Sequence, residues 1–191
     1  MLLSMKCSAS LSCYTSCKTV ENFLEILIDL LLAFRVPAFT RRARRATVAH
    51  PKLFLFDAGV YRSLRPRGPL DRPEEIEGAA LEGLVAQHSR AWIGYSSGDF
   101  ELSYFRTRAG TEVDFVVYGA EGFWAIEVKN GAQIRARDLR SLRAFGQDYP
   151  EAELLFLYRG SERLNVDGVR CMPVEEFLRS LRPNRGITDT M

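Results

Sequence analysis

Residues 111–118 and 122–129 have the apolar character of two strands in a hairpin, yet charged residues interrupt both. Successive side chains of a strand point to opposite faces, so the alternation predicts one apolar and one mixed face per strand. The apolar faces are Val113, Phe115 and Val117 in the first strand and Trp124, Ile126 and Val128 in the second. The mixed faces are Glu112, Asp114 and Val116, and then Ala125, Glu127 and Lys129. Because a buried charge is costly unless it is paired or bound, the pattern predicts a cluster of interacting charges.

The periodicity of the remaining chain predicts an α/β domain. The longest helix covers residues 74–92 and places Leu81, Val85 and Trp92 on one face. From residue 77 onward the predicted order is helix, three strands, helix, two strands and helix. The other predicted elements are strands at 52–57, 100–108 and 152–160, a turn at 58–59, a helix at 138–150, and a strand followed by a helix over 168–183.

The segment before Pro37 is strongly apolar, and acidic residues recur at every fourth position, at Glu21, Glu25 and Asp29. This spacing predicts an amphipathic helix over residues 21–34 that ends before the proline. Its uninterrupted apolar run is far shorter than the roughly 20 residues of a membrane span, so we expect no membrane crossing. Its wide apolar face predicts docking onto a second copy of the chain, onto an ATPase partner, or onto the following domain.

Composition constrains the function only weakly. A chain of 191 residues with 47% apolar and 26% charged residues suits one soluble domain with an appendage. The net charge of +2 is too small to indicate nucleic-acid binding by itself. Only four of the 26 cationic residues are lysine, and the others are arginine. The guanidinium group of arginine forms bidentate hydrogen bonds with phosphates.

Two groups of residues near the N-terminus leave their roles open. The basic run comprises Arg41, Arg42, Arg44 and Arg45. It is consistent with a solvated loop or with a patch that contacts phosphates. The cysteines are Cys7, Cys13, Cys17 and Cys171. The spacing of the first three is not that of a zinc ribbon, so we expect free thiols and a cytoplasmic location.

The mixed faces of the hairpin carry a chemical rationale. If these faces are matched when the strands pair, Asp114, Glu127 and Lys129 converge. Two neighbouring carboxylates raise each other's pKa, and a hard divalent cation such as Mg²⁺ or Mn²⁺ relieves the repulsion. A lysine beside them can orient a water or stabilise developing phosphate charge. The set therefore indicates metal-assisted hydrolysis of a phosphodiester.

This pattern resembles the signature of a known superfamily. Asp114, followed by Glu127-Val128-Lys129, is similar to the D-(x)n-E-x-K motif of the restriction-endonuclease-like superfamily. The predicted order of elements matches that superfamily's core as well. The resemblance implies a mixed central sheet flanked by helices. It also implies a metal site of Asp114, Glu127 and a glutamate of the first helix, here Glu82, with Lys129 beside it.

A closer resemblance covers roughly residues 20 to 182. The segments "HPKLFLFDAGVYRSL", "EGAALEGLVAQH", "YFRTRAGTEVDFVVYG" and "MPVEEFLRSL" resemble the C-terminal domain of unknown function of prokaryotic AAA+-type ATPases. In those proteins a P-loop ATPase and a winged-helix-like segment precede the nuclease-like domain. This chain has no G-x4-G-K-[ST] motif, so we expect no ATPase activity. The resemblance implies a remnant of the winged-helix-like segment at 1–50, a nuclease-like domain at 51–182 and a tail at 183–191.

Three interpretations of the charged cluster stay open. In the first, the chain is a metal-dependent nuclease acting on DNA, encoded without its ATPase module. In the second, the domain is nuclease-like but not catalytic, and it binds DNA or a partner and regulates an ATPase. In the third, Glu127 and Lys129 form a structural ion pair between neighbours on one strand face.

Arginines that follow the second strand of the hairpin are candidates for nucleic-acid contacts. Arg137, Arg140 and Arg143 recur at every third residue and fall on neighbouring turns of the predicted helix. In the superfamily that the motif resembles, the duplex passes over the metal site. These side chains therefore contact phosphates in one interpretation and form a solvated helix face in the other.

Overall fold

The computed structural model describes residues 17–42, 45–48, 50–65, 68–69 and 71–187. Cys7, Cys13 and Arg44 lie outside these ranges, and Cys171 is a buried free thiol. The helices are α1 (Cys17–Asp29), α2 (Ala58–Leu64), α3 (Pro73–Tyr95), α4 (Arg140–Asp148) and α5 (Val174–Ser180), with a 3₁₀ helix at Ala136–Leu139 directly before α4. None of the helices within the described ranges combines the length and the apolarity that a membrane crossing requires.

The strands form one mixed sheet of six and one antiparallel pair. They are β1 (Ala33–Val36), β2 (Lys52–Leu55), β3 (Phe100–Arg106), β4 (Glu112–Gly119), β5 (Gly122–Val128), β6 (Glu153–Tyr158), β7 (Leu164–Val166) and β8 (Val169–Pro173). The large sheet has the order β3-β4-β5-β6-β8-β7, and β1 pairs only with β2. The strands β3, β4 and β5 are antiparallel neighbours, while β5, β6 and β8 run parallel. The predicted α/β class is therefore confirmed.

Each face of the large sheet carries its own apolar core. On one face α3, α5 and the β1–β2 hairpin pack through Leu81, Val85, Phe177 and Phe34. On the other face α4 packs through Leu142 and Phe145, together with Phe39. Strands covered on both faces bury most of their side chains, which explains the nearly continuous apolar runs in β5 and β6.

The alternation in β5 is confirmed. Trp124, Ile126 and Val128 lie in the core beneath α3, and Ala125 lies in the core beneath α4. The mixed face of this strand therefore looks toward α4 until the strand ends at Val128. Glu127, next to the end of the strand, is buried and pairs with Lys129 just beyond the strand.

The alternation in β4 is broken by a β-bulge. Asp114 and Phe115 lie opposite the single residue Tyr104 of β3, because the pairing register shifts there. A bulge of this kind reverses the alternation beyond it. Val113 accordingly packs in the core opposite to the one that holds Phe115 and Val117. The predicted common face of Val113, Phe115 and Val117 is therefore wrong.

The first helix is shorter than the sequence pattern predicts. It ends at Asp29, and Leu31 takes a left-handed conformation with φ of 59°. The N–H of Leu32 donates to the carbonyl of Leu27 at 2.9 Å, and that of Leu31 donates to Ile28 at 2.9 Å. This pair of bonds is a Schellman motif, which turns the chain out of the helix and into β1. The predicted continuation of the helix through that segment is wrong.

Two elements besides β1 escaped prediction. Residues 58–59 begin α2 instead of forming a turn, because the Asp57 side chain caps the helix by accepting from the N–H of Val60 at 2.8 Å. The strand β7 is short and pairs with β8 through a hairpin turn at Asp167 and Gly168. Both turn residues have positive φ, 51° and 82°, as an Asp-Gly hairpin turn requires.

The described part of the expected C-terminal tail packs against the end of α3. Ile187 is buried, and Trp92 donates through Nε1 to the carbonyl of Arg182 at 2.9 Å. The N–H of Ser97 donates to Asn184 Oδ1 at 2.7 Å. These contacts fix residues 183–187 on the far end of α3 from the charged cluster described below.

Candidate active site

Asp114 lies at the bulge in β4 and contacts the backbone of β5. Its Oδ2 accepts from the N–H of Val128 at 2.9 Å, and its Oδ1 is 3.9 Å from Nζ of Lys52. A regular strand would have pointed this side chain toward α4. The bulge turns it toward the α3 side, where Lys52 lies.

Glu127 and Lys129 lie at the end of β5. Their Oε1 and Nζ atoms are 3.1 Å apart. Glu127 is buried, and its Oε2 has no hydrogen-bond partner among the described residues. Lys129 keeps 45% of its side chain exposed. The ion pair therefore joins a buried carboxylate, whose Oε2 has no described partner, to an ammonium group at the surface.

A second lysine, which the sequence analysis did not single out, lies at the centre of the remaining acids. The Nζ of Lys52 is 2.7 Å from Glu112 Oε1 and 3.1 Å from Glu82 Oε1, and its side chain is 3% exposed. The same ammonium lies 5.1 Å from the centre of the Tyr104 ring. Glu82, predicted as a metal ligand, is thus engaged by Lys52. One signal in the sequence could have identified Lys52. It is one of only four lysines in an arginine-rich chain, and it is the first residue of an apolar strand.

The pKa values of both carboxylates of the predicted pair are raised. Burial raises the pKa of Asp114 well above its usual range, and the charges of Glu127 and Glu82 raise it further. Burial likewise raises the pKa of Glu127 to about 7, against the opposing attraction of Lys129. The two acids therefore share fewer negative charges at neutral pH than their number suggests.

Both lysines remain cationic. Burial lowers the pKa of Lys52, but attraction to Glu82, Asp114 and Glu112 outweighs it, and the pKa is raised overall. For Lys129 the lowering by burial is likewise outweighed, first by Glu127 and then by Asp114. The described acids thus hold two ammonium groups, one buried and one at the surface.

The fit of a divalent ion depends on how many carboxylates it needs. Across the described parts of the chain, no group of three or more His, Cys, Asp or Glu side chains is arranged to hold a metal ion. Mg²⁺, however, is commonly held by one or two carboxylates, with waters and substrate phosphates supplying the other oxygens. Glu127 offers such an ion one oxygen, because its buried Oε2 has no hydrogen-bond partner among the described residues.

The arginines expected to contact phosphates lie on the 3₁₀ helix and α4, next to a groove of about 400 Å³ that Lys129 lines. The side chain of Arg137 is 64% exposed. Arg140 is exposed too, and its Nε donates to the carbonyl of Arg137 at 3.3 Å. The Nε of Arg137 is 3.9 Å from Asp138 Oδ1, and Arg143 forms a closer ion pair with Asp167. The side chain of Arg143 is 32% exposed, so Arg137 is the more accessible of these two.

The chain matches two family models. One, described as "Domain of unknown function (DUF4143)", covers residues 77–177, which is more than half of the chain and includes β4 and β5. The other, described as "Domain of unknown function (DUF8612)", covers residues 6–71. No curated protein matches the chain. The chain belongs to the DUF4143 family.

Proposed function

We propose that this member of the DUF4143 family is a metal-dependent nuclease domain acting on DNA. One observation carries the proposal. Asp114 and Glu127 lie on adjacent strands, and only 15% and 9% of their side chains are exposed. Burial raises the pKa of both carboxyl groups, and the charge of Glu127 raises that of Asp114 further. Glu127 Oε2, beside Lys129, has no hydrogen-bond partner among the described residues. A structural ion pair of Glu127 and Lys129 accounts for neither the second carboxylate nor the spare oxygen.

The order of elements supports a restriction-endonuclease-like core. A long helix, α3, precedes three antiparallel strands, and α4 then leads to the parallel strand β6. The two carboxylates lie on the second and third of these strands, which is the position that the superfamily resemblance implies. A mixed sheet with helices on both faces agrees with it, although fold alone does not determine chemistry.

The roles of the residues follow from their surroundings. When bound, Mg²⁺ or Mn²⁺ would supply Lewis-acid stabilisation of charge on the scissile phosphate. Asp114 and Glu127 would hold the ion through their carboxylates. Lys129, partly exposed at the groove, would orient the attacking water and stabilise charge on the phosphate. Arg137 and Arg140 would contact phosphates farther along the backbone.

Substitution of Asp114 by asparagine tests the proposal. Asp114→Asn removes a negative ligand but keeps the shape of the side chain and its acceptor oxygen for the Val128 N–H. We expect cleavage of supercoiled plasmid with Mn²⁺ to fall by about 100-fold or more, while duplex binding is kept. Asp99→Asn, an exposed aspartate at the opposite end of the β3–β4 pair, is the matched control.

Three outcomes decide between the alternatives. Unchanged cleavage by the Asp114→Asn variant would contradict the proposed mechanism. No cleavage by the wild-type chain with either Mg²⁺ or Mn²⁺, despite duplex binding, would favour the second candidate function. If the chain binds a metal ion through Asp114 but does not bind DNA, we would infer a phosphodiesterase that acts on another substrate.

The second candidate is a nuclease-like domain without turnover that binds DNA or regulates an ATPase partner. One observation favours it. Lys52 already neutralises Glu82 and Glu112 without any metal, so the cluster is electrostatically supported as it stands. In proteins of the kind that the sequence resembles, this domain is often associated with AAA-type ATPases. Duplex affinity that is independent of divalent ions would support this candidate.

A further inference from the structure

We infer that Lys52 is a positioning residue whose ammonium occupies a second cation position in the carboxylate cluster, so that the site takes one divalent ion and not two. The inference rests on the proposed function, since it concerns the metal stoichiometry of the same site. Two-metal sites of phosphodiesterases hold their ions about 4 Å apart between shared carboxylates. Asp114 is the residue that such ions would share here.

The contacts of Lys52 are those of a bound cation. Its Nζ lies within 4 Å of three separate carboxylates, at 2.7 Å from Glu112, 3.1 Å from Glu82 and 3.9 Å from Asp114. These acids come from α3 and from β4, and the lysine itself comes from β2 of the small sheet. The ammonium thus joins elements in the way that a structural ion joins its ligands.

The burial of Lys52 makes this role specific. A side chain that is 3% exposed has left bulk water, and only charged partners compensate that cost. The Tyr104 ring closes one side of the ammonium at 5.1 Å. Glu112 is also 3.5 Å from Nε of Arg106, so it is neutralised from two sides. Neither Glu82 nor Glu112 is therefore left with the charge that a second divalent ion would need.

The carboxylates divide into two sets around Asp114. On the Lys52 side, Glu82 and Glu112 are saturated by cations. On the other side, Glu127 has an oxygen without a partner and faces the groove through Lys129. Four acids meet three cations in all, with Arg106 and Lys129 included. This balance accommodates one divalent ion next to Glu127 and disfavours two.

Counting bound Mn²⁺ by electron paramagnetic resonance and calorimetry tests the inference. We expect one ion per wild-type chain. Lys52→Met keeps the length and apolar stem of the side chain but removes the charge, so we expect two ions and a larger rise in melting temperature with Mn²⁺. Lys52→Arg restores a cation and should return the count to one. Glu112→Gln should keep one ion with affinity changed by less than about threefold.

The outcomes separate the inference from the function. A wild-type chain that binds no Mn²⁺ overturns the proposed function and the inference with it. A wild-type chain that binds two ions, or Lys52→Met that binds one, overturns the inference and leaves the function standing. If Lys52→Met fails to fold even with Mn²⁺, Glu112→Gln decides. Loss of an ion or a tenfold weaker affinity in that variant would contradict the inference.

Discussion

The burial of Glu127 couples stability to pH. Its pKa is about 7 in the folded chain and 4.5 as the ordinary value. Below pH 4.5 both states are protonated, and between 4.5 and 7 only the unfolded state loses its proton, so stability falls as the pH rises. Relative to Glu127→Gln, which cannot ionise, we expect the wild type to lose about 3 kcal/mol between pH 4.5 and 7.5.

Urea denaturation at several pH values measures this difference. Glu121→Gln is the matched control, because Glu121 is an exposed glutamate in the turn of the same hairpin. The free energy of unfolding of Glu121→Gln should change with pH by the same amount as that of the wild type. An equal pH dependence of the wild type and Glu127→Gln would show that the buried carboxylate ionises freely in the folded chain. Asp114, whose pKa is raised too, would retain a decline of the same sign in the variant.

At the scale of single residues, the sequence indicated which charged residues form the cluster better than it indicated which residues contact each other. Asp114 and Glu127 were singled out because charges in apolar strands need partners. Lys52 was missed because its partners are remote in sequence: Glu82 and Glu112 are brought to it by different elements. Local periodicity carries no information about which distant carboxylates a long side chain reaches.

Among the elements, the end of α1 contains strain that a substitution can relieve. Leu31 adopts φ of 59°, which costs a residue with a side chain roughly 1 kcal/mol, and its side chain is exposed. Glycine at this position removes the strain at no cost in packing. We expect Leu31→Gly to raise the free energy of unfolding by about 0.5 kcal/mol, measured by thermal and urea denaturation.

Leu30→Gly is the matched control. Leu30 is also exposed but is not among the residues with positive φ. Glycine there gains no strain relief and adds backbone entropy to the unfolded chain, so stability should fall by about 0.5–1 kcal/mol. Destabilisation of similar size by both changes would mean that the αL turn at Leu31 is not the native one.

The 3₁₀ helix and α4 offer a test of nucleic-acid binding. If Arg137 and Arg140 contact phosphates, duplex affinity falls with salt through counterion release. Replacing both with alanine should reduce the slope of log affinity against log salt by about 1.8. Arg143→Ala should change the slope less, because that guanidinium is paired with Asp167. Filter binding or fluorescence anisotropy over a salt series measures these slopes.

Arg179 provides the control for this series. It is exposed on α5, which packs on the opposite face of the sheet from α4. Arg179→Ala should leave the salt slope unchanged. A slope that responds equally to changes on both faces, or binding without salt dependence, would argue against a specific phosphate path beside the groove.

Element order was predictable where the periodicity was uninterrupted, as in β5 and α3. It failed where a single local feature overrode the pattern. The bulge at Asp114 and Phe115 reversed the faces of β4, and a bulge leaves no mark in the alternation of residue types. The αL turn at Leu31 ended α1 inside an apolar run that reads as helix, since leucine is not the residue expected there.

For the molecule as a whole, the N-terminal segment leaves a large apolar surface. One side of α1 is partly buried, and Leu24 and Leu27 line a cavity of about 230 Å³ against α2 and α3. Further exposed apolar side chains lie on the other side of α1, in the turn after it, at the end of β2 and on α2. These large exposed residues are Phe23, Ile26, Leu30, Leu31, Leu32, Phe56, Val60 and Leu64. The expected docking of α1 onto the following domain uses the side with Leu24 and Leu27, and the exposed side is the one that the expected interface with a partner would use.

This surface predicts self-association, because monomers rarely expose a contiguous apolar patch of this kind. Sedimentation equilibrium at increasing concentration should detect dimers of the wild-type chain. Phe23→Gln with Ile26→Gln should shift the chain to monomer without unfolding it. Leu164→Gln, an exposed leucine at the edge strand β7, is the control and should leave the association unchanged. A wild type that stays monomeric throughout would contradict the prediction.

The position of Lys52 on the small sheet gives the molecule a mechanical linkage. β1 and β2 pair only with each other, and isolated bridges such as Ala38 to Tyr104 connect this part of the chain to the large sheet. The chain passes from α1 through the turn at Leu31 into β1, and Val36 of β1 pairs with Lys52, the residue that contacts Glu82 and Glu112. A partner that bound α1 and displaced β1 would therefore also change the distances between Lys52 and these carboxylates.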